Sequence, residues 1–465
     1  MHPLWTVSEV VAATGGRPEN IDDGPIQSVS IDSREIVPEA LFIAIKGDNR
    51  DGHDFVVNAL STGASAAIVS EEYFAARGGD NLIVVPDTLK ALEALGVAAR
   101  ARSRAEIVAV TGSAGKTTTK EAIRTVLSSV GETHASVKSF NNHWGVPLTL
   151  ARLPREARFG VFEIGMNHAG EIAALVKLVQ PHTAVITTVA AAHLEFFDSI
   201  AAIAAAKAEI FLGLEPGGTA VLNADHDYLH ILFNKARHAD VGRVGTYGFD
   251  ESADWRITDL EVLPTRTIAQ LHHEGEVFGL SLPVPGRHMV ANAVAAVVVA
   301  HLAGEGTAAP LRALAGFSAA EGRGETSRLG PADKPLLLVD ESYNANLASM
   351  AAALEVYGGI RPPAGAKVLV LGDMLELGEQ SDALHATLKE HVLKCGAKKV
   401  FLVGASMASL AKALGHEVDV VHGPTVEELT ETILAGLAHG DSVMVKGSKG
   451  VRLAGLVQAI RDRFK

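Results

Sequence analysis

Short apolar runs separated by amphipathic stretches recur along this chain, and the alternation predicts strands and helices in succession. In the first hundred residues the apolar runs are brief and polar turns separate them. We expect strands at 28–32, 41–45, 66–70 and 82–86, and helices at 54–62 and 88–103. Together these elements predict a small N-terminal α/β domain over residues 1–105.

The alternation becomes more regular after residue 105, where apolar strands are each followed by a helix. Buried strands are predicted at 106–111, 159–164, 183–189 and 219–222, and an amphipathic helix from 116 to about 130. This order favours a mostly parallel sheet with helices on both faces. Between 245 and 283 the helical signal fades and short, polar strands are expected, whereas the apolar run at 290–303 predicts a buried helix.

A glycine-containing segment, Gly322-Arg323-Gly324, predicts a linker, and the alternation restarts after it. Five apolar strands, each before a helical stretch, are predicted at 336–340, 367–371, 399–403, 418–421 and 442–445. Five units of this kind predict a Rossmann-like C-terminal domain. The fold class is therefore α/β with three domains, at 1–105, 106–321 and 322–465.

The composition narrows the class of protein. The 465 residues correspond to about three domains of roughly 150 residues each. Hydrophobic residues make up 48% and charged residues 20%, as in soluble globular proteins. The net charge of -13 is spread along the chain and argues against nucleic-acid binding, which needs a basic surface. Anionic small ligands remain possible, because helix N-termini bind phosphate without net positive charge.

Cysteine content and hydropathy indicate the compartment. The single cysteine, Cys395, excludes an intramolecular disulfide and fits a reducing environment. The first residues lack the basic and long apolar segments of a signal peptide. The apolar run at 290–303 is shorter than the roughly 18–20 residues that a membrane span needs. We therefore expect a cytoplasmic protein without membrane insertion.

The strongest chemical signal is the turn between the first central strand and its helix. Its residues are Gly112, Ser113, Ala114, Gly115, Lys116, Thr117 and Thr118. The glycines permit a tight turn whose N–H groups face an anion, and the helix N-terminus adds partial positive charge. Lys116 can reach the β- and γ-phosphates of a nucleotide, and the Thr117 hydroxyl suits Mg²⁺. Because Val110 stands where the longer pattern has glycine, this is the short G-x-x-G-K-T form. It predicts a central P-loop ATPase domain.

Three polar residues downstream are candidates for metal chemistry. Glu163 lies at the end of a predicted strand, where a carboxylate beside phosphate can hold Mg²⁺. His193 follows another strand, and Lys207 lies in an apolar helix. A buried lysine can be a neutral amine, and such an amine can add CO₂ to become a metal-binding carbamate. A structural histidine and a solvated lysine remain alternative interpretations.

Three polar segments follow predicted strands of the C-terminal domain, at 340–346, 372–378 and 446–450. Taken singly, each is compatible with an ordinary polar βα loop. Domains of this type bind ligands at the carboxyl ends of their strands. The occurrence of all three together favours a binding rim.

These motifs, in this order, closely resemble the Mur ligase family of peptidoglycan synthesis over nearly the whole chain. The resemblance implies a site for ATP and two Mg²⁺ ions, with Lys116, Glu163, His193 and Lys207 as its catalytic residues. Thr117 and Glu163 would hold one Mg²⁺, and His193 and a carbamylated Lys207 would hold the other. Asn292 is similar to an adenine contact of the family, and two further nucleotide contacts are implied at Arg323 and Asp340.

Several local sequences are similar to the branch of the family that adds D-alanyl-D-alanine. They are the segments 141–147, 163–172, 285–288 with Asn292, and 340–346. The resemblance implies that UDP-N-acetylmuramoyl-tripeptide is bound by the first domain, ATP by the second, and the dipeptide and part of ATP by the third. The implied substrate residues are Ser33, Arg34, Lys46, Asp51, His53, Asn141, Asn142, Tyr343, Asn344, Asn346, Lys446 and Ser448. The chain departs from the family pattern at Leu347, where proline is usual, and at Glu39-Ala40.

Three other functions are compatible with a phosphate loop of this kind. A sister ligase adding a single amino acid and a folylpolyglutamate synthetase both have a similar phosphate loop, but the segment 340–346 and the N-terminal domain count against them. A P-loop nucleotide switch would hydrolyse ATP without forming a bond and would not need His193 or Lys207. We expect a monomeric enzyme acting on small molecules.

Overall fold

The computed structural model describes residues 2–47, 50–137 and 139–465. Its strands form three mixed sheets covered by helices, together with a two-stranded ribbon, which confirms the α/β fold class. The helices in the described part of the chain are all too short or too polar to cross a membrane.

The first sheet has five strands in the order β2-β7-β6-β5-β4, and all neighbours are parallel except β2 and β7. The elements are β1 Trp5–Thr6, α1 Val7–Thr14, β2 Arg17–Glu19, β3 Pro25–Ile26, β4 Ser28–Ser30, β5 Ala40–Ile43, α2 Val56–Thr62, β6 Ala64–Ser70, α3 Glu71–Arg77, β7 Leu82–Val85 and α4 Thr88–Arg102. The four predicted strands and both predicted helices are confirmed. Helix α2 begins two residues late because residues 52–55 form a 3₁₀ turn capped by Asp51. Helices α1 and α3 and the short strands β1, β2 and β3 were not predicted.

The central sheet has nine strands in the order β16-β15-β14-β13-β12-β11-β8-β10-β9. Neighbours from β9 to β14 are parallel, and β14 to β16 form an antiparallel meander. The elements are β8 Glu106–Thr111, α5 Lys116–Ser128, β9 Thr133–Ala135, α6 Gly145–Ala151, β10 Phe159–Glu163, α7 Glu171–Val179, β11 Thr183–Ile186, α8 Ile200–Lys207, β12 Thr219–Asn223, α9 Leu229–His238, β13 Arg243–Gly248, β14 Trp255–Leu263, β15 Arg266–His273, β16 Glu276–Leu282, α10 Arg287–Leu302 and α11 Ala308–Ala313.

Strand β8 illustrates why the central strands are apolar throughout. Val108 and Val110 pack into the core beneath α5 and α10, whereas Ile107 and Ala109 pack into the core on the other face. A strand buried on both faces needs apolar residues at every position. The meander differs, because only one face packs on α10, and its polar residues lie on the other face. The strands predicted there are present, but they are longer than expected, since β14 to β16 contain 9, 8 and 7 residues.

The third sheet has six strands in the order β17-β18-β22-β19-β20-β21, parallel except for β17. The elements are β17 Glu325–Leu329, β18 Leu336–Glu341, α12 Leu347–Gly359, β19 Lys367–Gly372, α13 Ser381–Thr387, α14 Lys389–Cys395, β20 Lys399–Val403, α15 Met407–Leu414, β21 Asp419–Gly423, α16 Val426–Ala435, β22 Ser442–Lys446 and α17 Leu453–Arg463. All five predicted strand–helix units are present. The edge strand β17, partly exposed and polar, was not predicted.

Helix α6 of the central domain packs into the apolar core of the first domain. Leu148 and Ala151 of α6 belong to the same buried cluster as α1 and α4. The Trp5 indole donates to the Ala151 carbonyl over 2.8 Å. Arg100, also buried, donates to the carbonyls of Val179 and Gln180 over 2.9 and 2.8 Å. Apolar packing with satisfied polar groups is the arrangement of a rigid interface.

Replacing Arg100 with alanine should destabilise this interface. The substitution leaves the buried Val179 carbonyl and the partly buried Gln180 carbonyl without their guanidinium donor, so we expect a loss of about 1–3 kcal/mol in the free energy of unfolding. The measurement is the shift of the urea or thermal unfolding midpoint. Arg104, which is exposed and lies just after α4, supplies the control Arg104→Ala. Equal shifts for the two variants would contradict the prediction.

Candidate active site

The turn between β8 and α5 is shaped by two close approaches. A Cβ atom on Gly112 would lie 1.9 Å from Thr187 Oγ1, and one on Gly115 would lie 2.6 Å from Asn292 Oδ1. Both glycines also have positive φ, 151° and 81°. Neither position therefore has room for a side chain, and the backbone of the turn lies directly against β11 and α10.

Hydrogen bonds hold this turn from the side of β11. The Thr187 hydroxyl donates to the Ala114 carbonyl over 2.5 Å. The Ser113 hydroxyl donates to the Ala190 carbonyl and accepts from the Ala190 N–H, each over 3.0 Å. The Lys116 ammonium donates to the Gly112 carbonyl over 2.7 Å. Because α5 begins directly after the turn, its N-terminal N–H groups and partial positive charge suit the binding of an anion.

Glu163 lies on the opposite side of the turn, at the end of β10. Strands β8 and β10 are parallel neighbours, with Glu163 in register with Val110. The buried Glu163 carboxylate accepts hydrogen bonds from Thr117 Oγ1 and from Asn141 Nδ2, both over 2.7 Å. Thr117 is also 3.1 Å from Ser139 Oγ. Thr117 and Glu163 therefore lie side by side, as predicted, and Asn141 also contacts Glu163.

Lys207 ends α8 and is almost fully buried, with 1% of its surface exposed. Burial, helped by the nearby Lys116 ammonium, holds the pKa of Lys207 well below its usual range. Burial also lowers the pKa of Lys116, although the Glu163 carboxylate opposes that shift. A lysine in this environment is readily a neutral amine, which is the form that can add CO₂.

Side chains from the third domain reach the same turn. Asn346, the N-cap of α12, donates through Nδ2 to the Ser113 carbonyl over 3.1 Å. Arg323 donates to Ser139 Oγ over 3.2 Å, and its guanidinium lies 4.2 Å from the centre of the Tyr343 ring. Two of the predicted third-domain residues, Arg323 and Asn346, therefore lie at the phosphate loop.

The side chain of His193 contacts the third domain, a contact that the sequence did not predict. Its Nδ1 lies 2.5 Å from Glu376 Oε2, on the loop after β19. Its pairing with Lys207 on one metal ion stays a prediction. Of the other predicted nucleotide-site residues, Ala114 lies in the turn, Thr118 lies in the first turn of α5, and Asn292 of α10 lies against Gly115; the adenine contact of Asn292 stays a prediction.

The remaining predicted third-domain residues lie at the rim formed by β18 and β22. The Asp340 carboxylate accepts from the backbone and hydroxyl of Ser342. Lys446, buried, donates to Glu341 over 3.2 Å and to the Asn344 carbonyl over 3.1 Å. The Asp340 carboxylate therefore contacts Ser342 and Arg461 within the third domain.

The other rim and N-terminal residues have mainly local partners. The Ser448 hydroxyl donates to the Ala345 carbonyl, and Asn142 Oδ1 accepts from the Gly145 N–H that begins α6. In the first domain, Ser33 opens a 3₁₀ turn, Arg34 pairs with Asp32, Lys46 forms a β-bridge with Asp51, and His53 donates to Asp51 over 2.6 Å. Their substrate roles stay predictions.

Sequence reasoning missed four residues at this site: Thr187, Ser136, Ser139 and Glu376. Ser136 Oγ accepts from the Glu163 N–H over 3.2 Å. Thr187 lies within a predicted strand, so its position at a strand end was an available signal. Glu376 lies in the polar segment 372–378. The two serines carry no local pattern, because only the tertiary fold brings them to Glu163.

The donor atoms around Thr117 and Glu163 fit Mg²⁺. They are hard oxygen atoms beside an anion-binding turn, and Mg²⁺ is usually bound by one or two carboxylates together with waters and substrate phosphates. Among the residues that the structure describes, no group of three or more His, Cys, Asp or Glu is placed to hold a metal alone. The arrangement suits an ion completed by nucleotide phosphates rather than one held in a protein cage.

A phosphate loop at the edge of a parallel sheet, a carboxylate beside it and a second α/β domain reaching over it define a P-loop nucleotide-binding enzyme. Family models match the chain in three parts: the catalytic domain of the Mur ligase family at 25–95, the Mur ligase middle domain at 110–300, and the Mur ligase glutamate ligase domain at 323–449. The chain belongs to the Mur ligase family, as its motifs indicated.

Relatives and solved structures agree with this assignment. UDP-N-acetylmuramoyl-tripeptide–D-alanyl-D-alanine ligase of Escherichia coli is 35% identical, and the alignment covers 98% of each chain. A crystal structure of MurF from Acinetobacter baumannii is 30% identical with a TM-score of 0.83, covering 98% of this chain and 99% of the other. MurF ligase from Thermotoga maritima in complex with ADP is 25% identical with a TM-score of 0.77, covering 94% and 97%.

Gly115→Ala should weaken nucleotide binding. The new Cβ would lie 2.6 Å from Asn292 Oδ1 in a left-handed backbone, so we expect about a tenfold or greater loss of ADP affinity by calorimetry. Gly170→Ala is the matched control, because Gly170 also precedes a helix with positive φ but has no atom within 4 Å of its Cβ position. Normal ADP affinity in Gly115→Ala would contradict the prediction.

Proposed function

We propose that this enzyme joins UDP-N-acetylmuramoyl-tripeptide to D-alanyl-D-alanine, with ATP converted to ADP and phosphate. The observation that carries the proposal is the convergence of Lys116, Glu163 and the buried Lys207 on one phosphate loop that the third domain also contacts. The full-length similarity to ligases named for this reaction supports the choice of substrates.

The first step is activation of the tripeptide carboxylate. A carboxylate oxygen attacks the γ-phosphorus of ATP, the bond to the β–γ bridging oxygen breaks, and an acyl phosphate and ADP form. Lys116 and the N–H groups of the turn lie where they can stabilise charge on the transferring group. Arg323, held 3.2 Å from Ser139, brings a second positive charge toward the same region.

The second step is attack of the dipeptide amine on the acyl carbon. The carbon–oxygen bond to phosphate then breaks, the amine loses a proton, and inorganic phosphate leaves. Contacts such as Asn346 to the Ser113 carbonyl place the third domain against the loop. A closed arrangement of this kind would align the reactants and exclude water from the acyl phosphate.

The residues divide into two candidate metal sites. Mg²⁺, when bound, would polarise the phosphoryl oxygens and offset their charge. Thr117 and Glu163 would hold one ion, and His193 with the carbamate of Lys207 the other. Burial lowers the pKa of Lys207, which favours the neutral amine that forms a carbamate.

The domain roles follow from the same placement. We propose that residues 1–105 bind the UDP-sugar substrate through Ser33, Arg34, Lys46, Asp51 and His53. Residues 106–321 carry the ATP and metal sites, and residues 322–465 receive the dipeptide at the rim that includes Lys446 and Ser448. The enzyme would act as a monomer on cytoplasmic small molecules.

An assay of acceptors and donors tests the function directly. Phosphate release should require both UDP-N-acetylmuramoyl-tripeptide and D-alanyl-D-alanine, and mass spectrometry should find the joined pentapeptide product. Equal ATP hydrolysis without an acceptor would support a nucleotide switch instead. Turnover with a single amino acid or with folate substrates would support a sister ligase or a folylpolyglutamate synthetase.

Lys207→Ala should lower kcat by about 10- to 100-fold, because a metal ligand is removed. A short carboxylic acid in the buffer should restore part of the activity by occupying the space of the carbamate. The control is Lys177→Ala, which removes an exposed helical lysine. Full activity of Lys207→Ala without added acid would contradict the carbamate role.

A further inference from the structure

Glu376 makes a two-point contact between the third domain and the central domain. Its Oε2 lies 2.5 Å from Nδ1 of His193, 183 residues away in sequence. Its backbone carbonyl accepts a hydrogen bond from the Glu195 N–H over 3.1 Å. Nearby, a Cβ on Gly378 would be 3.3 Å from Glu195 Cα, so the two loops approach closely at the backbone level.

Both residues of this pair have a left-handed backbone. His193 has φ of 58° and Glu376 has φ of 62°, a region that side chains with a Cβ atom rarely occupy. Such conformations persist where surrounding contacts hold them, and they concentrate at functional sites. Both loops therefore hold an unfavourable backbone conformation at the residue whose side chain makes the contact.

The chemistry of the contact determines the state of the imidazole. With Nδ1–H donating to the Glu376 carboxylate, Nε2 is the ring nitrogen with a free lone pair. A carboxylate on the second nitrogen is the usual means of fixing the orientation and tautomer of a metal-binding histidine. His193 is one of the residues assigned above to the second metal ion.

We propose that Glu376 is a positioning residue that prepares His193 to bind Mg²⁺ only when the third domain is closed on the central domain. The inference rests on the proposed function, since it takes His193 as a metal ligand. Because Glu376 arrives with the third domain, closure and completion of the metal site are coupled. Coupling of this kind is reciprocal, so metal binding should also favour closure.

Metal binding without turnover tests the proposal. The full-length enzyme is loaded with a non-hydrolysable ATP analogue, and Mn²⁺ binding is followed by electron paramagnetic resonance. Glu376→Ala should weaken one class of bound Mn²⁺ by about 10–100-fold. Glu376→Gln, which keeps an acceptor but loses the charge, should give a smaller loss. Glu379→Gln is the matched control, because it removes an exposed carboxylate from the same loop.

Repeating the measurement in a His193→Ala background distinguishes a positioning role of Glu376 from general destabilisation of the protein. His193→Ala should remove the same class of Mn²⁺, and adding Glu376→Ala should then cause no further loss. Small-angle X-ray scattering should show that Mn²⁺ compacts the wild-type enzyme but not Glu376→Ala. Wild-type Mn²⁺ affinity in Glu376→Ala, or an equal loss caused by Glu376→Ala with and without His193, would overturn the proposal. If the proposed function itself is wrong, the wild-type enzyme will release no phosphate in response to the acceptor.

Discussion

The steric fit of one backbone turn between two neighbouring elements is the constraint on which the site depends. Strand β8 lies between β11 and β10 in the central sheet, so the turn after it is flanked by the ends of both strands. On one side Thr187 contacts the turn at Gly112, and on the other Glu163 reaches the first turn of α5 through Thr117. Helix α10 completes the enclosure with Asn292. The sheet order therefore fixes an anion site and a carboxylate within one hydrogen bond of each other.

Charge is unevenly distributed around this turn. Lys116 and Lys207 interact electrostatically, and both have pKa values lowered by burial, while Glu163 is the carboxylate that stabilises the charge of Lys116. Arg323 adds a further unfavourable interaction with Lys116. Such a site binds anions well, because a polyphosphate would relieve the repulsion among the cations. Conversion of Lys207 to a carbamate would remove one cation and add one anion, which suits the binding of divalent metal beside the phosphates.

The sequence could predict the parts of the site that depend on local pattern. Strands β8 and β10 are continuous apolar runs because both of their faces are buried, and their ends locate Gly112 and Glu163. The strands of the β14–β16 meander were predicted to be shorter than they are, because polar residues on their exposed face interrupt the apolar pattern that marks a strand. Ser139 and Glu376 could not be assigned, because nothing in their own neighbourhoods specifies a partner. Their positions depend on how domains pack, and a periodic pattern contains no information about that packing.

The two interfaces of the central domain differ in physical character. Toward the first domain, Leu148 and Ala151 enter a common apolar core, and Arg100 satisfies backbone carbonyls across the boundary. Toward the third domain, the contacts at the turn are polar, and the seam beneath α10 retains a cavity of about 20 Å³ lined by residues such as His288 and Val356. Shared apolar cores resist relative motion, whereas polar and incompletely packed interfaces allow it. The third domain is therefore the part best suited to open for substrates. If the contact between Glu376 and His193 forms only when the third domain closes, the metal site would be complete only in the closed enzyme.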